Sequence, residues 1–254
     1  MSTVYDYIQD RYNWSVDTRN QDLNLKYITG NQTFRIKSAA GRTLYRHSSG
    51  MGTVLEFNDG VARKVLVLDA KYRSNGVGTF TSTFTDHTLL KCQTKNRSGN
   101  WSVVGSINYV TPNECMHITD EVLMSLWGTI DTNTSRYNTD YWLTTEGCAE
   151  AQYCRNIIVD GVGCDVPNIQ TLMRIYCEAV QLDMLDPTIP QYPTYSLANG
   201  IWSESAKKGV RSSSYWDCTG NNIFVRNVHY NGVCHNAYAN TTNSNCYVIP
   251  VLEL

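Results

Sequence analysis

The order of apolar and polar positions divides the chain into stretches of different character. The first 24 residues are polar, with Tyr5, Tyr7, Ile8, Tyr12 and Trp14 interspersed, which predicts an arm or short helix docking on another surface. From Lys26 to about Asn108 the apolar residues come in short β-branched or aromatic runs at 33–36, 61–68, 77–84 and 101–104. Turn-forming clusters separate them at 48–52, 58–60, 73–76 and 96–100. Short strands at this spacing predict an antiparallel β domain, a sandwich or small barrel. Asn58-Asp59-Gly60 suits a hairpin because these residues tolerate positive φ.

After Pro112 the apolar period lengthens. A helix is predicted over 119–126, where Thr119 can cap free amides and early acids suit the helix dipole. A second is predicted near 146–158, with Ala149, Tyr153 and Ile157 on one face. The third opens at Asp165-Val166-Pro167-Asn168 and carries an apolar stripe of Ile169, Leu172, Met173, Tyr176, Ala179 and Val180. Beyond Pro187 and Pro190 strands return at 201–203, 222–228 and 246–252. The predicted class is therefore α+β and β-rich.

Composition changes what the exterior must look like. The chain has 254 residues, room for two domains or one large β-rich one. Only 17% of residues are charged, against about 25% in an average soluble protein, while 17 are Tyr. The polar surface must then be built largely from Asn, Thr, Ser and Tyr, as an adhesive or rigid exterior is. A net charge of -2 and no basic run longer than Lys207-Lys208 argue against nucleic-acid binding. The longest strongly apolar stretch, 65–68, is far short of the roughly 20 residues that span a bilayer, so membrane insertion is not expected.

The N-terminal residues carry no signal-peptide pattern, so classical secretion is not expected. Yet there are nine cysteines, seven of them in the last 107 residues, a density usual in disulfide-built extracellular domains. A virion component, made in the cytosol and exposed after lysis, reconciles the two facts. Structural zinc is disfavoured: no Cys-x-x-Cys occurs, and the gaps after Cys148 hold five, nine and twelve residues.

Helices followed by strands, with the last strand closing the chain, is the order of a C-type-lectin-like fold, and local motifs agree. The segment 164–172, Cys-Asp-Val-Pro-Asn-Ile-Gln-Thr-Leu, resembles the "Leu-Pro-Thr-x-x-Glu-Leu" helix start of bacterial and phage lectin-like domains. Residues 197–205, containing Ile201-Trp202-Ser203-Glu204-Ser205, resemble their "Trp-Ser-Ser-Ser" strand, and 247–251 their terminal "Tyr-Val-Arg-Pro-Val". Ile249 stands where the family commonly has Arg, so no role of that Arg carries over. The resemblance covers about residues 140–254. It implies a binding scaffold on tail fibres, other virion appendages or bacterial surfaces. The family's Ca²⁺-dependent sugar site has no counterpart here: the nearest matches, 166–168 and 216–218, lack its oxygen set. No cofactor or metal is expected.

The segment 212–246 is dense in Tyr, Ser, Asn and His, a mixture that gives stiff aromatic contact and adaptable hydrogen bonding. Trp202, Tyr215, Trp216, Asn222, His229, Tyr230, His235, Asn236 and Tyr238 are the candidate ligand-binding residues. No catalytic residue is assigned. His229 and His235 flank Cys234, but neighbouring residues on a strand point apart, and no His-Glu-x-x-His, Gly-x-Ser-x-Gly or phosphate-loop pattern occurs.

These readings combine into a docking arm over 1–24, a particle-anchoring β domain over 25–105 and a lectin-like binding domain over 106–254. The expected partners are other virion proteins, a host-surface glycan or protein, and further copies of the chain. A ligand-free cement or decoration protein is one alternative. A carbohydrate-active enzyme with a carboxylate pair, Glu204 being the acid beside Trp202, is the other.

Overall fold

The computed structural model describes residues 15–17, 35–37, 42–58, 61–75, 133–144, 149–189, 196–201, 209–219, 222–229, 234–238 and 246–254. The helix expected at 119–126 and the strands expected at 77–84 and 101–104 lie outside these residues. Thirteen strands, β1 (Ser15–Asp17), β2 (Arg35–Lys37), β3 (Thr43–Arg46), β4 (Gly52–Asn58), β5 (Ala62–Leu68), β6 (Ser74–Asn75), β7 (Ile158–Val159), β8 (Val162–Gly163), β9 (Gly209–Thr219), β10 (Asn222–His229), β11 (Cys234–Tyr238), β12 (Cys246–Val248) and β13 (Val251–Glu253), form three sheets among the described residues. The helices are α1 (Ser135–Leu143), α2 (Ala149–Arg155), α3 (Ile169–Cys177) and α4 (Ala179–Leu185). The class is α+β with open, mainly antiparallel sheets; they do not close into the small barrel considered above.

The first sheet runs β1-β2-β3-β4-β5-β13. Its centre shows why Val65-Leu66-Val67-Leu68 has no polar alternation. Side chains alternate between faces along a strand, and here both faces are covered. Leu55, Phe57, Val65 and Val67 pack with Leu172, Met173 and Tyr176 of α3, whereas Val54, Leu66 and Leu68 pack with Val159, Cys164 and Leu252. The β4–β5 hairpin pairs Asn58 with Ala62, so the two strands join where a hairpin is expected; Asp59 and Gly60 lie outside the described residues. At its other end Gly52 sits against β5: a Cβ there would lie 2.3 Å from the Val67 carbonyl oxygen and 2.9 Å from Leu66 Cδ1. Gly52→Ala is expected to cost about 1–3 kcal/mol, read as a lower thermal midpoint.

The second sheet runs β11-β10-β9-β12-β6, with β12 parallel to β9 and the other pairs antiparallel. The expected turn at 73–76 therefore contains a strand, because Ser74 and Asn75 pair with Val248 and Tyr247. Between β12 and β13 the chain passes from the second sheet to the first at Ile249-Pro250, where the Pro250 carbonyl accepts from Leu68 N at 3.1 Å. The third sheet is the β7–β8 hairpin, turned by Asp160 and Gly161 at φ +49° and +82°. Strands from before residue 75 and helices from after 133 share one core, and β13 pairs with β5. The boundary placed at 105/106 is thus not a boundary of the core.

The helices differ from expectation in instructive ways. The single helix expected from Asp165 is two, separated at Glu178, whose φ and ψ of -108° and 14° leave the helical region. Its carboxylate is drawn into a fully buried ion pair with Arg42 ahead of β3. Asn168 caps α3 as expected, Oδ1 accepting from Thr171 N at 2.9 Å. On α2 the buried side is Glu150, Ala151 and Cys154, one position away from the predicted Ala149, Tyr153 and Ile157. Helix α1 was not predicted at all. Its buried positions, Ser135, Asn138, Thr139 and Trp142, follow helical spacing but are mostly polar. The strand expected at 201–203 is absent at Ile201, which ends a wide helical turn, Leu197–Ile201. Asp183 starts that turn, accepting from Leu197 N at 3.0 Å and Ala198 N at 2.8 Å. In the arm expected at 1–24, the described residues Ser15–Asp17 are a strand paired with β2, not a helix.

Candidate ligand-binding face

Strand β9 changes character along its length. Its first part runs parallel to β12, and Val210 through Ser214 are all buried. Ser213 and Ser214 are tied to α1 and to the residues that start α3. Ser213 N donates to the Pro167 carbonyl at 2.7 Å, and the Ser213 carbonyl accepts from Trp142 Nε1 at 3.1 Å. Ser214 Oγ accepts from Ile169 N at 2.9 Å, satisfying a free amide at the start of α3. Ser212 Oγ accepts from Ser214 N at 3.2 Å. Ser212, Ser213 and Ser214 therefore form a buried root, which corrects the reading of 212–246 as one continuous exposed segment. Short hydroxyl side chains suit this place because they satisfy neighbouring amides without needing space.

Strands β9, β10 and β11 form an antiparallel ribbon that holds seven of the nine candidate residues, four of them beyond the root and His229, His235 and Asn236 alongside it. Tyr215 pairs with Val225, which pairs with Ala237; Asn222 pairs with Thr219, and Tyr238 with Phe224. Trp216 falls at the register shift between Phe224 and Val225, a bulge that bends the strand locally. His229 pairs with Gly209, His235 with Asn227 and Asn236 with Arg226. Tyr215, Trp216, Asn222 and Tyr238 thus gather towards one end of the ribbon. His229 lies five residues along β10 from Phe224, roughly 17 Å away, with His235 and Asn236 between. Trp202 and Tyr230, with Glu204, are outside the described residues.

The register also bears on the cysteines. Cys218 pairs with Ile223, Cys234 with Val228 and Cys246 with Gly209. Cys218 and Cys234 are thus offset by roughly 17 Å along β10, Cys246 and Cys218 by roughly 30 Å along β9, and Cys246 lies three strands, roughly 14 Å, from β11. A disulfide needs Cα atoms within about 7 Å, so none of these three bridges another. Cys154, Cys164 and Cys177 are buried thiols in three different apolar clusters. Burial beside Asp165 pushes the Cys164 thiol up to about 12, which leaves it protonated and unreactive.

Charged groups near the root serve the fold. Asp165 is fully buried, and burial raises its carboxyl to about 6 against Arg136 and Arg155, which donate to it at 3.0 and 2.8 Å. Glu150 of α2 faces Arg211 of β9 at 3.4 Å. Burial outweighs that attraction and pushes Glu150 up to about 8, and its Oε2 has no hydrogen-bond partner among the described residues. A carboxyl raised from 4.5 binds its proton more tightly in the folded chain. Its stabilising contribution is complete below about pH 4.5 and is lost as pH rises through about 8. Urea unfolding at pH 5 and pH 8 is expected to show stability falling with pH, and Glu150→Gln to flatten that slope; an unchanged slope in the variant would assign it elsewhere.

Among the described residues no group of three or more His, Cys, Asp or Glu is placed to hold a metal ion, and no helix is long and apolar enough to cross a membrane. No protein-family model, curated protein or solved structure matches this chain.

Proposed function

We propose that this chain is a bacteriophage virion protein, on a tail fibre, collar or head appendage, that displays a C-type-lectin-like domain for attachment to the host surface. The observation that carries the reading is the β9–β11 ribbon: the Tyr-, Trp-, Asn- and His-rich candidates sit on strands whose root is buried and hydrogen-bonded to α1 and α3. A rigid root under an adaptable polar face is what a binding surface needs, because little order is then lost on association. Helices α1 to α4 preceding β9–β13 support a lectin-like order of elements in residues 140–254. The N-terminal strands would face the particle, and homo-oligomers would repeat the display.

Cell-binding assays test this with the full chain, fluorescently labelled, on the bacterium that supports the particle. The wild type is expected to bind without turnover of the surface polymer. Tyr215→Ala with Tyr238→Ala is expected to reduce binding by about tenfold or more at an unchanged unfolding midpoint. Unchanged binding by the folded variant removes the ribbon as the binding face. Loss of particle stability without any cell binding favours the cement reading, and polymer cleavage favours the enzyme.

A further inference from the structure

We propose that α2 is a proton-held latch on the root of the β9–β11 ribbon, seated while Glu150 carries its proton and released when Glu150 ionises. The Glu150 side chain leaves the first turn of α2 and is only 6% exposed. Its Oε1 lies 3.4 Å from Arg211 Nη1, beyond the roughly 2.7–2.9 Å of a charge-assisted hydrogen bond, and its Oε2 has no hydrogen-bond partner among the described residues. An ionised carboxylate offers about four acceptor sites, so this place suits the neutral acid. Asp165, also buried, has the opposite arrangement: Arg136 and Arg155 donate to its two oxygens at 3.0 and 2.8 Å. Burial raises Asp165 only to about 6 and Glu150 to about 8, in keeping with that difference.

The helix is light enough to move. It has seven residues, about two turns, too few to persist as a helix away from its contacts. Cys154 packs with Val166 and with Val248 of β12, the strand parallel to β9, while Tyr153 Oη donates to the Tyr72 carbonyl at 2.8 Å. The charged groups around α2 are Arg211 from β9, Arg136 and Asp140 from α1, Asp165 ahead of α3 and Glu253 of β13. The last four gather about Arg155, at the other end of the helix and roughly 7.5 Å along it, so Arg211 is the charge at Glu150 itself. Release returns Glu150 to water, where a carboxyl titrates near 4.5. This group therefore favours seating fully below about pH 4.5, and each further unit up to about pH 8 shifts the balance towards release by about tenfold. Arg211 pairs in register with Asn227 of β10 and stands two residues before Ser213, whose carbonyl accepts from Trp142. Release thus removes a wall from the root of the ribbon, and this effect on binding rests on the attachment reading: a less ordered surface binds more weakly.

Hydrogen exchange of the full chain tests the latch, read by mass spectrometry on peptides spanning 149–155 and corrected for the intrinsic pH dependence of amide exchange. At each pH α2 should be less protected than β5, because it opens without global unfolding. Its protection is expected to fall by about tenfold or more between about pH 5.5 and pH 8 in the wild type, and by less than about threefold in Glu150→Gln, an uncharged isostere of the protonated acid. Protection of α2 equal to that of β5 in the wild type, or a fall of the same size in Glu150→Gln, overturns the latch. The first of these needs no variant, so the result stands even where Glu150→Gln folds poorly. Binding of the labelled wild type to host cells is expected to weaken by about threefold or more over the same range, and that of Glu150→Gln to hold. Cell binding that ignores pH while α2 opens overturns the hold of α2 on the ribbon. Absence of cell binding at either pH counts against the attachment reading, and the exchange result then decides the latch by itself.

Discussion

Deleting Val251–Leu254 is expected to prevent folding rather than to trim a tail. These four residues close the structure in four directions. Val251, Leu252 and Glu253 pair with Val67, Leu66 and Val65 of β5, while Val251 also exchanges both backbone hydrogen bonds with Asp165, at 2.7 and 2.9 Å. Val251 belongs to the cluster with α3 and Leu252 to the one on the opposite side of the sheet, so one β-strand contributes to both. Glu253 Oε1 accepts from Ser135 N at 2.7 Å, satisfying a free amide at the start of α1, and Leu254 N donates to the Lys64 carbonyl. Burial of two aliphatic side chains contributes about 3–6 kcal/mol. Loss of the α1 contact adds about 1 kcal/mol, and the backbone bonds about 1 kcal/mol each. The sum reaches the whole stability of an ordinary domain, about 5–15 kcal/mol. Soluble yield and near-ultraviolet circular dichroism of the truncated chain read the outcome, and Val251→Asp should act in the same direction. A truncated protein that folds with a wild-type unfolding midpoint would show that β13 is dispensable.

Asp69→Ala is expected to cost about 3–5 kcal/mol, because it strands a buried guanidinium. Arg46, at the end of β3, donates to both Asp69 oxygens at 2.6 and 2.8 Å, and further to Thr53 Oγ1 and the Gly50 carbonyl. Both side chains are almost wholly buried. The pair joins the end of β5 to the β3–β4 turn, where Asp69 N also donates to the Met51 carbonyl at 3.0 Å. Replacing both partners, Arg46→Met with Asp69→Leu, should recover most of the loss, since buried ion pairs exchange well for apolar groups of similar volume. Urea midpoints of the two variants decide this. A double variant no more stable than Asp69→Ala would mean the pair's geometry, rather than the unpaired charge, carries the cost.

The same kind of interaction explains where sequence patterns lost their meaning. Short apolar-rich runs and a helix start are legible: 61–68 holds β5, 222–228 lies in β10, and Asn168 caps α3. Ion pairs and polar packing were not. Arg42, Arg46, Arg73, Arg174 and Arg211 are all buried, although Arg in a sequence reads as surface. Arg73 and Asp183 meet across 110 residues of chain, and Arg42 and Glu178 across 136. Such pairs have no local signature. Helix α1 escaped for a related reason, since a buried stripe of Ser, Asn and Thr carries no hydrophobic period. For the candidate face, composition marked 212–246 as one stretch. It could not separate the buried Ser212–Ser214 root from the ribbon beyond it, because serine suits both a buried cap and an exposed surface.

By itself the sequence determined the α+β class, the hairpin of β4 and β5, the start of α3 at Asn168 and the uncharged character of 227–252, because each depends on residues near one another in the chain. Only the tertiary structure decided that residues before 75 and after 133 share one core, that β13 completes the first sheet, and that the Tyr- and Asn-rich strands stand on a buried root. Those outcomes depend on pairings between distant segments, whose energy comes from shared burial and matched charges that no local pattern encodes.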